Sequence, residues 1–497
     1  MLAQIGLLCE SQSGYRGPMT PVLLSARSVA LLLRHWRAGS DAAAYEALAD
    51  AVRVLVIDGR IPHGARLPAE RGLATALGVS RTTVANAYAR LREDGYLTSL
   101  RGSGSVIRLP LEGRPDPEHL AGVVPDDLLD LRKAALRSAP GVAEAVERAM
   151  RHLPAALAGI GYDTVGDAGL RAAIADRYTA RGLPTTPSEV VVTIGAQHAI
   201  ALLARVLVRR GDPVLVESPT YPHAHEVLRE AGGRLVSVPV DVRGGWDETV
   251  LDATIRRSAP TLAYVMPELH NPTGATMADS TRRVLLEAAA AVGTVVVADE
   301  TMGELRIDGV PSRPLAADAP GQVVMVGSAA KVFWGGLRIG WVRAAPELLQ
   351  RLLLARPTGD LGTPVLDQLV ARELVPQTEA VLEARRHVLR DGRDGLVAAL
   401  RARLPEWDVP SPAGGLTLWV GLGEPVSSAL VLAARSEGVV LASGGVFGPD
   451  GGFERSLRVP FTVTGADRER LVGALARSWE RVGGAAVATR GSAAAVV

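Results

Sequence analysis

Lysine is almost missing from this chain of 497 residues: among its 54 basic residues only Lys133 and Lys331 carry a primary amine. Arginine supplies every other cationic side chain of that class. It cannot serve where an amine must lose its proton and attack a carbonyl, because a guanidinium stays charged, whereas burial tunes a lysine. Cysteine is rarer still. The single Cys9 excludes an internal disulfide framework and a cysteine-built metal site, and no metal is expected. Long apolar runs are lacking too. Residues 23–33 are apolar but interrupted by Arg27, and fall short of the roughly 20 residues a membrane span needs. The start of the chain shows no basic region followed by a cleavage site. A net charge of +1 gives no global attraction to nucleic acid, so any such surface must be local. These absences predict a cytoplasmic protein of two or three domains, with no membrane partner.

Five stretches follow from the patterning. Residues 1–25 show no periodicity and are expected to be a loose extension. Residues 26–108 form a compact helical module: Leu48, Val52, Leu55 and Val56 recur at helical spacing before an Asp58-Gly59 stop. A short helix over about 69–77 ends at Gly78. Ser80 is placed to cap the next, whose apolar face is Val84, Ala87, Tyr88 and Leu91. Two strand-like runs, 96–99 and 105–107, flank Arg101-Gly102-Ser103-Gly104. Residues 109–126 hold prolines at 110, 115 and 117 among charges, which marks a linker. From 127 to 483, β-rich apolar runs alternate with helical stretches, the pattern of an α/β domain with a mostly parallel sheet. Residues 484–497 are expected to be a disordered tail.

Two helices joined by a glycine turn, followed by a hairpin, predict a winged helix-turn-helix. Its second helix would present Arg81, Thr82, Thr83 and Asn86 to phosphates and base edges, with Arg71 and the wing's Arg101 in reach of the backbone. Residues 41–108 carry nine arginines against seven carboxylates, so binding has to rest on placement rather than bulk charge. The run Arg66-Leu67-Pro68-Ala69-Glu70-Arg71-Gly72-Leu73-Ala74, then Leu77-Gly78-Val79-Ser80-Arg81-Thr82-Thr83-Val84, resembles the GntR family of bacterial regulators. That resemblance implies DNA contacts from Arg71, Ser80, Arg81, Thr82, Thr83 and Gly102. One position often arginine in relatives is Ala85 here, so the base preference does not carry over.

The larger region gathers motifs around one cofactor. Thr193-Ile194-Gly195-Ala196-Gln197-His198 turns a strand into a helix, and the free N–H groups of Ala196 and Gln197 would cradle a phosphate; such turns also simply cap helices. Asn271, in Asn271-Pro272-Thr273-Gly274, could donate to a phenolate oxygen or belong to an ordinary loop turn. Asp299 ends a buried strand, where a carboxylate is costly unless it meets a cation such as a protonated pyridine nitrogen. Lys331 follows 32 residues later, in Gly327-Ser328-Ala329-Ala330-Lys331, and reads as a Schiff-base lysine. Ser328 and Arg338 are natural phosphate ligands. Tyr221 can stack on a pyridine ring, and Arg458 can hold a carboxylate bidentately or form a structural ion pair.

In this order and spacing the set resembles fold type I aminotransferases over nearly all of residues 127–483. The resemblance implies pyridoxal 5'-phosphate with Ala196, Gln197, Ser328 and Arg338 on its phosphate, Tyr221 on its ring and Asn271 on its phenolic oxygen. It further implies Asp299 on the ring nitrogen, Lys331 bonded to the aldehyde carbon, Arg458 on the carboxylate of a substrate or effector, and Tyr162 lent to the partner subunit's phosphate. Two departures stand out. Relatives commonly carry a tyrosine two or three residues after the aspartate, where this chain has Thr301 and Met302, and a second serine of the lysine loop is missing.

A GntR-type winged helix joined to an aminotransferase-like domain resembles the MocR subfamily of regulators. The expected fold class is α/β: a winged helix-turn-helix plus a fold type I domain with a mostly parallel large sheet and a smaller α+β part. The expected function is a regulator that binds promoter DNA as a head-to-tail homodimer and senses pyridoxal 5'-phosphate, or an amine or amino-acid effector, at Lys331. The alternative is an active aminotransferase carrying a DNA-binding module.

Overall fold

The computed structural model describes residues 24–33, 36–37, 43–57, 61, 65–100, 104–107, 128–448 and 452–493. The chain divides into two compact units, residues 1–123 and 124–497. The sequence-based linker 109–126, the wing residues Arg101 and Gly102, and most of the N-terminal extension lie outside the described residues.

In the first unit, helices α1 (Ala26–Leu32), α2 (Ala44–Ile57), α3 (Glu70–Leu77) and α4 (Arg81–Glu93) precede strands β1 (Leu97–Leu100) and β2 (Gly104–Ile107). The periodic residues of α2 and α4 pack into one core with Leu73 of α3. Gly78 adopts φ 67°, the left-handed conformation that lets α3 stop and the chain reverse into α4. The Ser80 hydroxyl accepts the Thr83 N–H at 3.0 Å and so starts α4, as its position predicted. Buried Tyr88 ties α4 to the segment that leads into α3 by donating to the Pro68 carbonyl at 2.9 Å.

The second unit is built on an eight-stranded sheet. Its strands are β4 (Val190–Thr193), β5 (Pro213–Ser218), β6 (Arg234–Asp241), β7 (Gly245–Trp246), β8 (Leu262–Val265), β9 (Val295–Asp299), β10 (Val323–Ser328) and β11 (Gly340–Arg343), in the order β4-β11-β10-β9-β8-β5-β6-β7. β6, β5, β8, β9 and β10 run parallel; β11 is antiparallel to both β4 and β10, and β7 to β6. Successive strand residues face opposite sides, so Val296, Ala298 and Met325 enter one core while Val297, Val324 and Val326 enter another. The mostly parallel α/β sheet expected from sequence is present.

A smaller part carries the antiparallel pair β12 (Thr417–Gly421) and β14 (Ser456–Pro460), and β13 (Val439–Val440) parallel to β3 (Leu129–Asp130). The last helix spans Gly465–Ala493. This corrects the tail expected from residue 484: alanine-rich residues continue an established helix at little cost, since each adds a backbone bond without nucleating anew.

Candidate functional site

The site residues collect at one edge of the sheet because of strand register. Thr193 of β4 lies opposite Gly340 of β11, and Gly340 opposite Ser328 of β10. Asp299 of β9 lies beside Val326 of β10, with Lys331 three residues past the end of β10. Thr193, Asp299, Ser328 and Lys331, quoted from three motifs, therefore lie at the same end of neighbouring strands or just beyond it, with Gly340 between Thr193 and Ser328.

Beyond Thr193, Gly195 takes φ 76° and opens the helix Gly195–Leu207, whose first turn contains Ala196 and Gln197. The approach of β11 to this turn is close. A Cβ on Gly340 would lie 2.4 Å from the Gly195 carbonyl carbon and 2.6 Å from the Ala196 nitrogen; one on Gly195 would meet the Arg338 guanidinium at 2.7 Å. Arg338, at φ 51°, makes only long contacts, 3.4 Å to the Gly335 carbonyl and 3.5 Å to the Ile194 carbonyl, and forms no ion pair among the described residues. Ser328 hydroxyl accepts the Ala330 N–H at 3.2 Å. A helix N-terminus, a hydroxyl and an unneutralised guanidinium together suit a dianionic phosphate.

Asp299 is 6% exposed and meets no cation among the described residues. Its Oδ2 accepts from the Tyr264 hydroxyl at 2.8 Å and its Oδ1 from the Thr301 N–H at 2.8 Å. Lys331 Nζ donates to the Ala134 carbonyl at 2.6 Å. Burial first, then repulsion from Arg458, opposed by Asp299 and aided least by Arg338, brings its pKa down to about 8, so a reactive free amine is within reach near neutrality. Tyr221 starts the helix Pro222–Glu230, and burial beside Asp299 raises its hydroxyl to about 12, which keeps it a neutral donor.

Arg458 is also 6% exposed and desolvation lowers its pKa to about 10, still a cation at neutral pH. It lies 4.7 Å from the Phe447 ring centroid and donates to the Arg132 carbonyl, and its Nε has no partner. Buried Oδ1 of Asn271 and Oε1 of Gln197 are unpartnered as well. Buried polar atoms without partners are uncommon in folded proteins, and Gln197, Asn271 and Arg458, all expected at the ligand, are among the residues of this chain that carry one.

Not every expected residue joins this group. Tyr162 is 71% exposed, near Leu157 and Ile160 at 72% and 86%, on an apolar stretch of surface. Of the two positions where a tyrosine is expected, Met302 is buried in the hydrophobic core, while Thr301 Oγ1 is buried without a partner. Sequence reasoning missed Tyr264, whose only signal was a tyrosine in an aliphatic strand. It also missed Glu217, just ahead of the Tyr221 loop: its carboxylate accepts from Trp246 Nε1 at 3.0 Å and from Met266 N–H at 2.9 Å, and lies 3.2 Å from His270 Nε2. That fully buried carboxylate fastens the Tyr221 loop to the Asn271 loop.

On the first unit Arg71, Ser80, Arg81, Thr82 and Asn86 are exposed on one module, with Thr83 half-buried by its cap contact. Arg81 is loosely paired with Glu70 at 3.8 Å. Among the described residues no helix is long and apolar enough to cross a membrane, and no cluster could hold a metal ion.

Comparison with known proteins agrees with this geometry. Residues 135–475 match the family described as aminotransferase class I and II, and residues 44–107 that described as bacterial regulatory proteins, gntR family. The chain is 33% identical to a 2-aminoadipate transaminase of Thermus thermophilus, over 75% of this chain and 92% of that protein. It is 30% identical to a probable rhizopine catabolism regulatory protein, MocR, of Rhizobium meliloti, over 74% and 79%. The crystal structure of the alpha-aminoadipate aminotransferase of Thermus thermophilus, complexed with N-(5'-phosphopyridoxyl)-L-leucine, superposes with a TM-score of 0.66 at 31% identity, covering 76% of this chain and 96% of that one. The cofactor of this domain is pyridoxal 5'-phosphate, and the helix N-terminus at Gly195, the Ser328 hydroxyl, the Arg338 guanidinium and buried Asp299 fit its phosphate and its ring nitrogen. A chain that pairs this domain with a gntR-type winged helix belongs to the aminotransferase class I and II family and, within it, to the MocR subfamily of GntR-type regulators.

Proposed function

We propose that this chain is a transcriptional regulator that binds promoter DNA through its winged helix and senses pyridoxal 5'-phosphate, or an amine or amino-acid effector, by Schiff-base chemistry at Lys331. The observation that supports the reading is a desolvated lysine near a buried aspartate that forms no ion pair among the described residues, in a chain whose winged-helix module keeps Arg71, Arg81, Thr82 and Asn86 exposed. The cofactor supplies an aldehyde that condenses reversibly with primary amines.

In this reading Ala196 and Gln197 N–H groups, Ser328 and Arg338 hold the phosphate, Tyr221 stacks on the ring, and Asn271 donates to the phenolic oxygen. Asp299 keeps the ring nitrogen protonated and Arg458 binds the effector's carboxylate. Tyr162, exposed on an apolar surface, reaches the phosphate site of the partner in a head-to-tail homodimer. Arg71, Ser80, Arg81, Thr82 and Thr83 contact DNA, joined by Arg101 and Gly102 of the wing. A cytoplasmic location follows from such a role. The linker 109–126 transmits the state of the site, because an effector that prefers one arrangement of the dimer must shift DNA affinity reciprocally.

An active aminotransferase is the second reading, favoured by the presence of Asp299, Lys331, Ser328 and Arg338 and by the pKa of Lys331 near 8. Thr301 and Met302, at the positions where a tyrosine is usual, weigh against efficient turnover. Mixing the cofactor-loaded protein with amino donors and a keto acid separates the two. An absorbance change without repeated turnover, accompanied by a change in operator affinity, supports sensing; sustained turnover with operator affinity unmoved rejects it.

A further inference from the structure

Residues 132–134 occupy an unusual position. Just before them, Leu131 N–H donates to the Val440 carbonyl at 2.8 Å, continuing the β3–β13 pairing. Just after them, Ala139 N–H donates to the Phe333 carbonyl at 2.8 Å and the Arg137 carbonyl accepts from Arg385 at 2.7 Å. Between these anchors the chain crosses the site and offers two carbonyls, Arg132 to the Arg458 guanidinium and Ala134 to Lys331 Nζ. The Arg132 side chain folds back instead, with Nε 2.9 Å and Nη2 2.8 Å from the Asp130 carboxylate.

A neutral carbonyl is a weak partner for a buried guanidinium. It takes one N–H and leaves Nε unpartnered, whereas a carboxylate accepts two N–H groups in parallel through charge-assisted bonds of roughly twice the strength. We propose that residues 132–134 are an internal competitor for the ligand's carboxylate: the Arg132 carbonyl holds Arg458 until a carboxylate replaces it, so that a carboxylate, and not an amine alone, releases the segment. The contact at Ala134 depends on a free Lys331 amine, which the cofactor engages, so in the loaded protein the Arg132–Arg458 contact is the anchor left for a ligand to break. An amine acting at Lys331 leaves the Arg132–Arg458 contact in place. The inference rests on the assignment of Arg458 as the carboxylate residue and only in its second anchor on Schiff-base sensing. β3 is the first strand after the linker, so the released segment adjoins the connection to the DNA-reading unit by chain continuity.

The test uses the full-length protein loaded with pyridoxal 5'-phosphate and exposed to L-alanine, ethylamine or propionate at high millimolar concentration. Amide hydrogen exchange of residues 131–137 is followed together with the absorbance of the cofactor. L-Alanine and propionate should accelerate exchange there on the order of tenfold, the effect of losing one charge-assisted anchor, and ethylamine should not. Arg458→Gln should exchange fast without any ligand and ignore propionate. Equal acceleration by ethylamine, no acceleration by either carboxylate, or slow exchange in Arg458→Gln would each overturn the competitor. If amines leave the absorbance unchanged, Schiff-base sensing fails, while the propionate arm still decides the role of the segment.

Discussion

The Tyr264 hydroxyl donates to Asp299 Oδ2 at 2.8 Å across adjacent strands, with both side chains buried. The aspartate is thus held in place before any ring nitrogen arrives. Without that bond, its charge is left with the Thr301 N–H as its remaining donor. Tyr264→Phe should lower the stability of the cofactor-free protein by about 1.5–3 kcal/mol, the usual size of a hydrogen bond to a charged group. Affinity for pyridoxal 5'-phosphate should hold or rise, because the less satisfied carboxylate gains more from the ring N–H. Denaturant unfolding and cofactor titration would show this split, and parallel losses in both would argue against it.

Lys331 gives a pH dependence of definite sign. Its folded pKa of about 8 lies below the ordinary lysine value, so between the two the unfolded chain binds more protons than the folded one. Stability of the cofactor-free protein should therefore rise with pH from about 8 toward the ordinary lysine range, by up to roughly 3 kcal/mol. Arg458, whose pKa burial lowers only to about 10, stays a cation through the lower part of that window, which therefore belongs to Lys331. Lys331→Met should flatten that part of the curve; an unchanged slope would assign it elsewhere.

Borohydride treatment of the loaded protein should fix the cofactor on Lys331. Lys331→Ala should carry no label at that position and give no amine response, yet retain operator binding. Mass spectrometry of the labelled peptide and a DNA-binding titration check both halves.

Arg81→Ala should weaken operator binding by roughly tenfold or more while leaving cofactor affinity alone. Arg81 is exposed and only loosely engaged with Glu70, so its loss costs the fold little. Operator affinity equal to that of the parent would remove Arg81 from the recognition surface.

Gly340→Ala tests the phosphate cradle. The added methyl would strike the backbone at Gly195 and Ala196, neither of which can rotate away. A cost of about 1–3 kcal/mol is expected, together with loss of phosphate-dependent cofactor binding. Pyridoxal without its phosphate should be affected less, and equal losses for both compounds would contradict the assignment.

Much of this was readable in the primary structure where one residue type answers one backbone demand. Ser80 caps its helix, Gly78 takes the left-handed turn, and Asp299 and Lys331 stand where their strands end. Contacts between distant segments were not readable. Tyr264 meets Asp299 only because β8 and β9 are neighbours in register, and the Arg132 carbonyl meets Arg458 through main chain that no side-chain pattern reports. The final helix was missed because an alanine- and glycine-rich run looks alike whether it frays or extends a helix already formed.

Glu300, directly after Asp299, is also buried, and is gripped by the Tyr178 hydroxyl and by Arg181 at 2.9 Å, with Trp341 Nε1 donating to Tyr178 at 3.0 Å. Consecutive carboxylates at one strand end are thus tethered to different neighbours: Asp299 to β8, Glu300 to the helix Ala168–Ala180 and through it to β11. A displacement of the first is thereby linked through its neighbour Glu300 to Trp341, one of seven tryptophans, so a change in indole fluorescence that disappears in a Trp341→Phe variant would register occupancy with no dye attached.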